Sequence, residues 1–163
     1  MSACLLGLPT RFDGGARTRE AVAALRSDAV LVPVCPEQLG GLPTPRRPAE
    51  IQGGAGDEVL DGVSRVCTRE GDDVTDAFLR GAASAVEVAR LAGVRGAVLK
   101  ARSPSCGVGE TYDGTFSGRL RSGHGVAAAL LARSGLRLLT EEDVAAGAVP
   151  GAGHEEDHGY AAR

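Results

Sequence analysis

Tryptophan is absent from this chain, and its 163 residues hold only 3 Phe and 2 Tyr. A core without large rings must be filled by Ala, Val and Leu, which suits helices packed closely on a sheet. No apolar run reaches the roughly 18 residues that a membrane span needs. The opening residues, MSACLLGLPTRFDGG, lack a basic segment followed by an apolar one, so no signal peptide is read there. Lysine occurs once, as Lys100; the other basic side chains are arginines. A net charge of −3 and no basic patch interleaved with aromatics argue against nucleic acid as the main partner. The four cysteines include no C-x-x-C pair, which removes the usual structural zinc and disulfide-exchange signatures. A cytoplasmic location is expected, where thiols stay reduced.

What is present alternates between apolar runs and helical periods. Ser2–Leu6 reads as a short strand, 17–26 as a helix, and AVLVPVC (29–35) as a strand covered on both faces. Residues 36–56 are crowded with Pro and Gly and read as a long irregular segment, the kind that often carries function. Residues 58–69 read as a β-hairpin turning at Asp61-Gly62. A long helix follows, capped by Asp73 or Thr75 and ended by Gly93. GAVLK (96–100) is a buried strand, 107–123 a second glycine-rich stretch, and 124–135 a helix. LRLLT (136–140) is the last strand, and Thr140 caps a short helix over 141–146. The fold class expected is α/β: a mostly parallel, Rossmann-like sheet with helices on both faces in three layers, plus a small hairpin. It occupies residues 1–149 as one domain, and the polar stretch 150–163 is expected to be a disordered tail.

In parallel sheets, ligands bind beyond the carboxyl ends of the strands. Cys4, Cys35 and Cys106 each fall at such an end, each followed at once by a Gly- or Pro-rich loop. Three thiols would then share one rim although they are far apart in sequence. Cys67, within the alternating VSRVCTR, reads as structural. Three thiolates on one rim could hold an iron–sulfur cluster with one iron open, or an open zinc site. Spacing alone leaves both open.

The segments SACLLG (2–7), RFDGG (11–15), VPVCPEQLGGLPTPRRPAEI (32–51), DVTDAFLRGA (73–82), LKARSPSCG (99–107) and YDGTFSG (112–118) together resemble a bacterial family whose characterised members are thiouracil desulfurases. The resemblance runs from Ser2 to about Val144. It implies a 4Fe–4S cluster held by Cys4, Cys35 and Cys106, with one iron free for the substrate's sulfur. It implies a non-redox reaction in which a thiolated pyrimidine such as 2-thiouracil becomes the oxo base plus sulfide. Many relatives carry a further cysteine before the RYDG-like motif, where this chain has Thr10.

That chemistry needs a base within hydrogen-bond reach of an attacking water. Glu37, two residues after Cys35, is the catalytic candidate, and Ser103 would orient water or substrate. Ser105 and Arg102, in the same ARSPSCG stretch, are expected to bind substrate. The partner is then a small thiolated base, with no nucleic acid or membrane, and a homodimer is left open. The competing reading is a non-catalytic domain that binds iron–sulfur or zinc and acts as a sensor.

Overall fold

The computed structural model describes residues 1–149; the expected disordered tail, 150–163, lies outside them. The elements in chain order are α1 (Glu20–Ala24), α2 (Pro36–Leu39), β1 (Ala49–Gln52), α3 (Gly56–Leu60), β2 (Arg65–Thr68) and α4 (Thr75–Leu91). β3 (Gly96–Leu99), β4 (Glu110–Tyr112), β5 (Leu120–Ser122), α5 (Val126–Arg133), β6 (Arg137–Thr140) and α6 (Glu141–Ala145) complete the α/β arrangement.

The sheets are small. β3 and β6 pair in parallel, with Gly96 opposite Arg137 and Leu99 opposite Thr140. The N-terminal residues widen this pair. Ser2 bridges Val34 in parallel, and its N–H donates to Val98 O at 3.0 Å. Residues 1–3 therefore run between Val34 and β3. β1 pairs antiparallel with β2, and β4 with β5. The broad, mostly parallel three-layer sheet expected from the sequence is not what the described residues form: β3–β6 is a parallel pair, and the other two sheets are antiparallel.

Three local expectations differ from the structure, each for a physical reason. Ser2–Leu6 is a strand only at its first residue, and Ala3–Leu6 coils into a 3₁₀ turn closed by Gly7 at φ 94°. The run 29–35 pairs only at Val34, and Val30 is 90% exposed. Pro33 lies within that run and has no N–H to give a ladder. Asp61-Gly62 ends α3 rather than turning a hairpin, with Gly62 left-handed at φ 75°. The antiparallel partner of β2 is β1, drawn from the segment read as irregular. By contrast, Thr140 and Asp143 cap α6 reciprocally, with Asp143 N donating to Thr140 Oγ1 at 3.1 Å. Asp73 Oδ1 accepts from Thr75 N at the head of α4.

One contact fixes the approach to Cys35. α2 lies flush on α4 because both meet at glycines. A Cβ on Gly40 would stand 1.9 Å from Ala77 O, and one on Gly81 2.0 Å from Pro36 O. Behind this seam the main core gathers Ile51, Val59, Val66, Phe78, Ala82, Val126 and Ala127. Phe78 is the one aromatic in it, and burying such a side chain contributes about 1.5–3 kcal/mol.

Candidate active site

Each thiol is delivered by a different backbone device. Cys4 sits in the 3₁₀ turn after the Ser2 bridge. Cys35 stands just before α2, whose first residue is Pro36, a residue favoured there because its missing N–H is not needed. Cys106 follows β3 on a turn tied by a hydroxyl: Ser103 Oγ accepts from Ser105 N (3.1 Å) and Cys106 N (3.0 Å). The three cysteines line one cavity of about 560 Å³. Cys67, buried in β2, does not line it.

The electrostatics bind the trio together. Burial pushes the Cys4 thiol up, the neighbouring Cys35 adds to this, and Lys100 and Arg11 oppose it. Burial likewise pushes Cys106 up to about 12; a hydrogen bond from Ser2 opposes it, while Glu37, Cys35 and Cys4 raise it further. The charges that raise Cys4 and Cys106 include those of Cys35 and Glu37, which places these groups in one neighbourhood. No three His, Cys, Asp or Glu among the described residues group tightly enough to hold a single metal ion.

Glu37 is pinned on one side. Arg46 Nε stands 2.6 Å from its Oε2, with the two side chains only 6% and 16% exposed. The same guanidinium donates to Thr10 O at 3.0 Å and lies 3.9 Å from Cys35 Sγ, which itself donates to Thr10 O. Glu37 Oε1 has no partner among the described residues. Ser103 lines the cavity. A hydroxyl that accepts twice still has a proton to donate.

The other two expected residues stand differently. Ser105 is 1% exposed and off the cavity; its carbonyl instead receives Ala127 N and Ala128 N at the head of α5. Arg102 lines the cavity, at φ 61°, with each of its three guanidinium nitrogens engaged by a rim carboxylate. It forks onto Glu142 at 2.7 and 3.0 Å and reaches Glu110 at 2.8 Å. It reads as a brace of the rim.

Several lining residues were not singled out from the sequence: Arg46, Lys100, Glu50, Phe12, Tyr112 and Phe116. Lys100 Nζ stands 2.6 Å from Oε1 of the buried Glu141, an ion pair. Glu141 Oε2 accepts from Ala101 N at 2.7 Å. The signal for Lys100 was its singularity in an arginine-rich chain. For the rings it was their scarcity.

The donor set fits a thiolate-ligated cluster. Three thiols lining one cavity are the donor type that iron–sulfur clusters take.

Comparison with known proteins agrees. Residues 1–143 match the family described as 2-thiouracil desulfurase. An uncharacterized protein, YbbK of Bacillus subtilis (strain 168), is 42% identical over 144 residues, covering 88% of this chain and 95% of that one. A solved structure, the 4Fe-4S-dependent thiouracil desulfidase TudS, is also 42% identical, with a TM-score of 0.77 over 89% of this chain and 91% of that one. The chain belongs to the 2-thiouracil desulfurase family.

Proposed function

We propose that this protein removes sulfur from a thiolated pyrimidine of the 2-thiouracil kind, without net redox change. Thiocarbonyl and water go in; carbonyl and hydrogen sulfide come out, so atoms balance and no electron acceptor is needed. Cys4, Cys35 and Cys106 would hold a 4Fe–4S cluster with one iron free of protein ligands. When bound, that group supplies a sulfur-accepting Lewis acid. The family and the 4Fe-4S dependence of the solved relative support this assignment.

The chain's own residues do the rest. Glu37 takes the proton of the attacking water on Oε1, while Arg46 holds Oε2 and with it the direction of the free oxygen. Ser103 donates its hydroxyl proton to the substrate edge, its position set by the two amides it accepts from. Arg102 steadies the rim through Glu110 and Glu142, and Ser105 supports α5 rather than substrate. A zinc occupant is the weaker reading, since the solved relative is 4Fe-4S-dependent.

The observation that carries the reading is three thiols and a half-engaged carboxylate facing one cavity. The test is anaerobic reconstitution with iron and sulfide, followed by incubation with 2-thiouracil. Uracil and sulfide in equal amounts are expected. Cys106→Ala should lose cluster and turnover, whereas Cys67→Ala keeps both. A fully loaded protein that releases no sulfide refutes the enzyme and leaves the sensor.

A further inference from the structure

Aromatic side chains are few here, and their placement is uneven. Of five in the chain, Phe78 fills the core, Tyr160 lies outside the described residues, and Phe12, Tyr112 and Phe116 all line the cavity. A chain that builds its core almost without rings has gathered three of them around its thiols.

Two of these rings are backed by arginine. Arg11 lies over Phe12 and Arg69 over Phe116, each guanidinium carbon 5.4 Å from the ring centroid. Phe12 stays 41% exposed, an apolar ring left in water at a cavity mouth.

Phe116 is held at a cost. Its φ of 56° is left-handed, a conformation a bulky residue adopts only when its surroundings impose it. Those surroundings are explicit. Glu50, 8% exposed on β1, accepts both Gly114 N (3.0 Å) and Phe116 N (2.9 Å) on Oε2. Asp113 Oδ1 accepts from Thr115 N at 3.0 Å. Gly114, itself at φ 90°, presses so close to β1 that a Cβ would stand 2.5 Å from Ile51 O. Four consecutive residues are thus fixed to present one ring.

We propose that Phe116 and Phe12 form an arginine-backed stacking platform for the planar ring of the substrate, with Glu50 as the positioning residue that sets Phe116. The proposal rests on the pyrimidine reading above and names the part of the site that recognises the ring. Each phenylalanine lines the cavity beside its arginine, and the ligand would stack on the ring face that the guanidinium leaves uncovered. Stacking on aromatics rewards any flat π-system and discriminates against a puckered one. Recognition of the thiocarbonyl then falls to the thiol-lined part of the cavity, while the platform selects flatness.

The experiment compares 2-thiouracil with its 5,6-dihydro analogue, and uracil with dihydrouracil. The analogues keep the hydrogen-bonding edge but lose the aromatic plane. Kinetics use the reconstituted protein; binding of uracil by ligand-detected NMR uses both reconstituted and cluster-free protein. Phe116→Leu should weaken uracil binding and raise KM on the order of tenfold or more, with kcat little changed. Phe116→Tyr should restore both. Glu50→Ala should behave like Phe116→Leu, and Glu50→Gln, which keeps an acceptor, should retain more. The preference for the flat ring over the dihydro ring should shrink in Phe116→Leu. Unchanged KM, uracil affinity and ring preference in Phe116→Leu overturn the platform. If loaded wild-type protein releases no sulfide yet binds uracil in a Phe116-dependent way, the desulfurase reading falls and the platform stands. If wild-type protein binds no flat ring at all, the platform falls too.

Discussion

Replacing Gly81 by alanine sets two effects against each other. Gly81 lies in the middle of α4, where alanine is favoured by about 1 kcal/mol on helix propensity alone. The new Cβ would, however, stand 2.0 Å from Pro36 O and 2.8 Å from Pro36 C, where real Cβ atoms do not come within 3.0 Å. α2 must therefore retreat by about 1 Å, the difference between 3.0 and 2.0 Å. The obstacle is backbone on both sides, so no rotamer relieves it. Overpacking of this kind costs about 1–3 kcal/mol, and with immovable partners the upper half of that range applies. The net loss is about 1–2 kcal/mol, or roughly 2–8 °C in Tm for a chain of this size. Function should suffer more than stability. Pro36 is bonded to both Cys35 and Glu37, and a shift of 1 Å in catalytic geometry can cost about a hundredfold in rate. Thermal unfolding under reducing, anaerobic conditions gives the first number; iron content and sulfide release give the second. A Gly81→Ala protein that melts at or above wild type and turns over normally refutes the claim that the α2–α4 seam positions the site.

Glu37→Gln should lower kcat by about 10²–10⁴ with the cluster retained, since a proton acceptor is lost; a change under threefold, read by sulfide release, removes Glu37 from the mechanism. Lys100→Met strands the buried carboxylate of Glu141 and should cost about 3–5 kcal/mol in urea denaturation, whereas Glu141→Gln costs less because Lys100, 21% exposed, can reach water. The double variant should lose less than the sum, and strict additivity would deny the coupling. The Arg11 guanidinium and the Gly15 amide hold the Asp13 carboxyl down at about 2 from an ordinary 3.8. A depressed carboxyl stabilises fully above the higher value and loses that contribution as pH falls through the lower one. Arg11→Ala should move the Asp13 midpoint, followed by NMR, up toward 3.8, with under about 1 kcal/mol lost at neutral pH because the pair is exposed.

The cysteine trio is legible from extended runs that meet Gly- or Pro-rich loops, and the strands behind that reading are shorter than expected. β3 ends at Leu99, seven residues before Cys106, and for Cys4 and Cys35 the strand shrinks to a single bridge, yet all three thiols line the common cavity. Asp61-Gly62 misled because a left-handed glycine serves a hairpin turn and a helix end equally well; only the distant partner, β1, decides between them. That partner was hidden by Pro43, Pro45 and Pro48, which crowd its approach. Ser103 and Ser105 flank the same proline, and the turn, not the composition, sends one to the cavity and the other beneath α5. The Arg46–Glu37 and Lys100–Glu141 pairs depend on where loops and helices come to rest, which no local pattern encodes.

Residues 1–3 lie between Val34 and Val98, and Lys100 N closes onto Ser2 Oγ across 98 positions. During synthesis Cys106 emerges more than a hundred residues after Cys4, so the cavity that the three thiols line closes only once most of the chain has left the ribosome. Contacts this remote close slowly, and if these thiols hold the proposed cluster, its loading follows folding. The small metal-nucleated domains run the opposite order, since there the ion pulls the chain into shape.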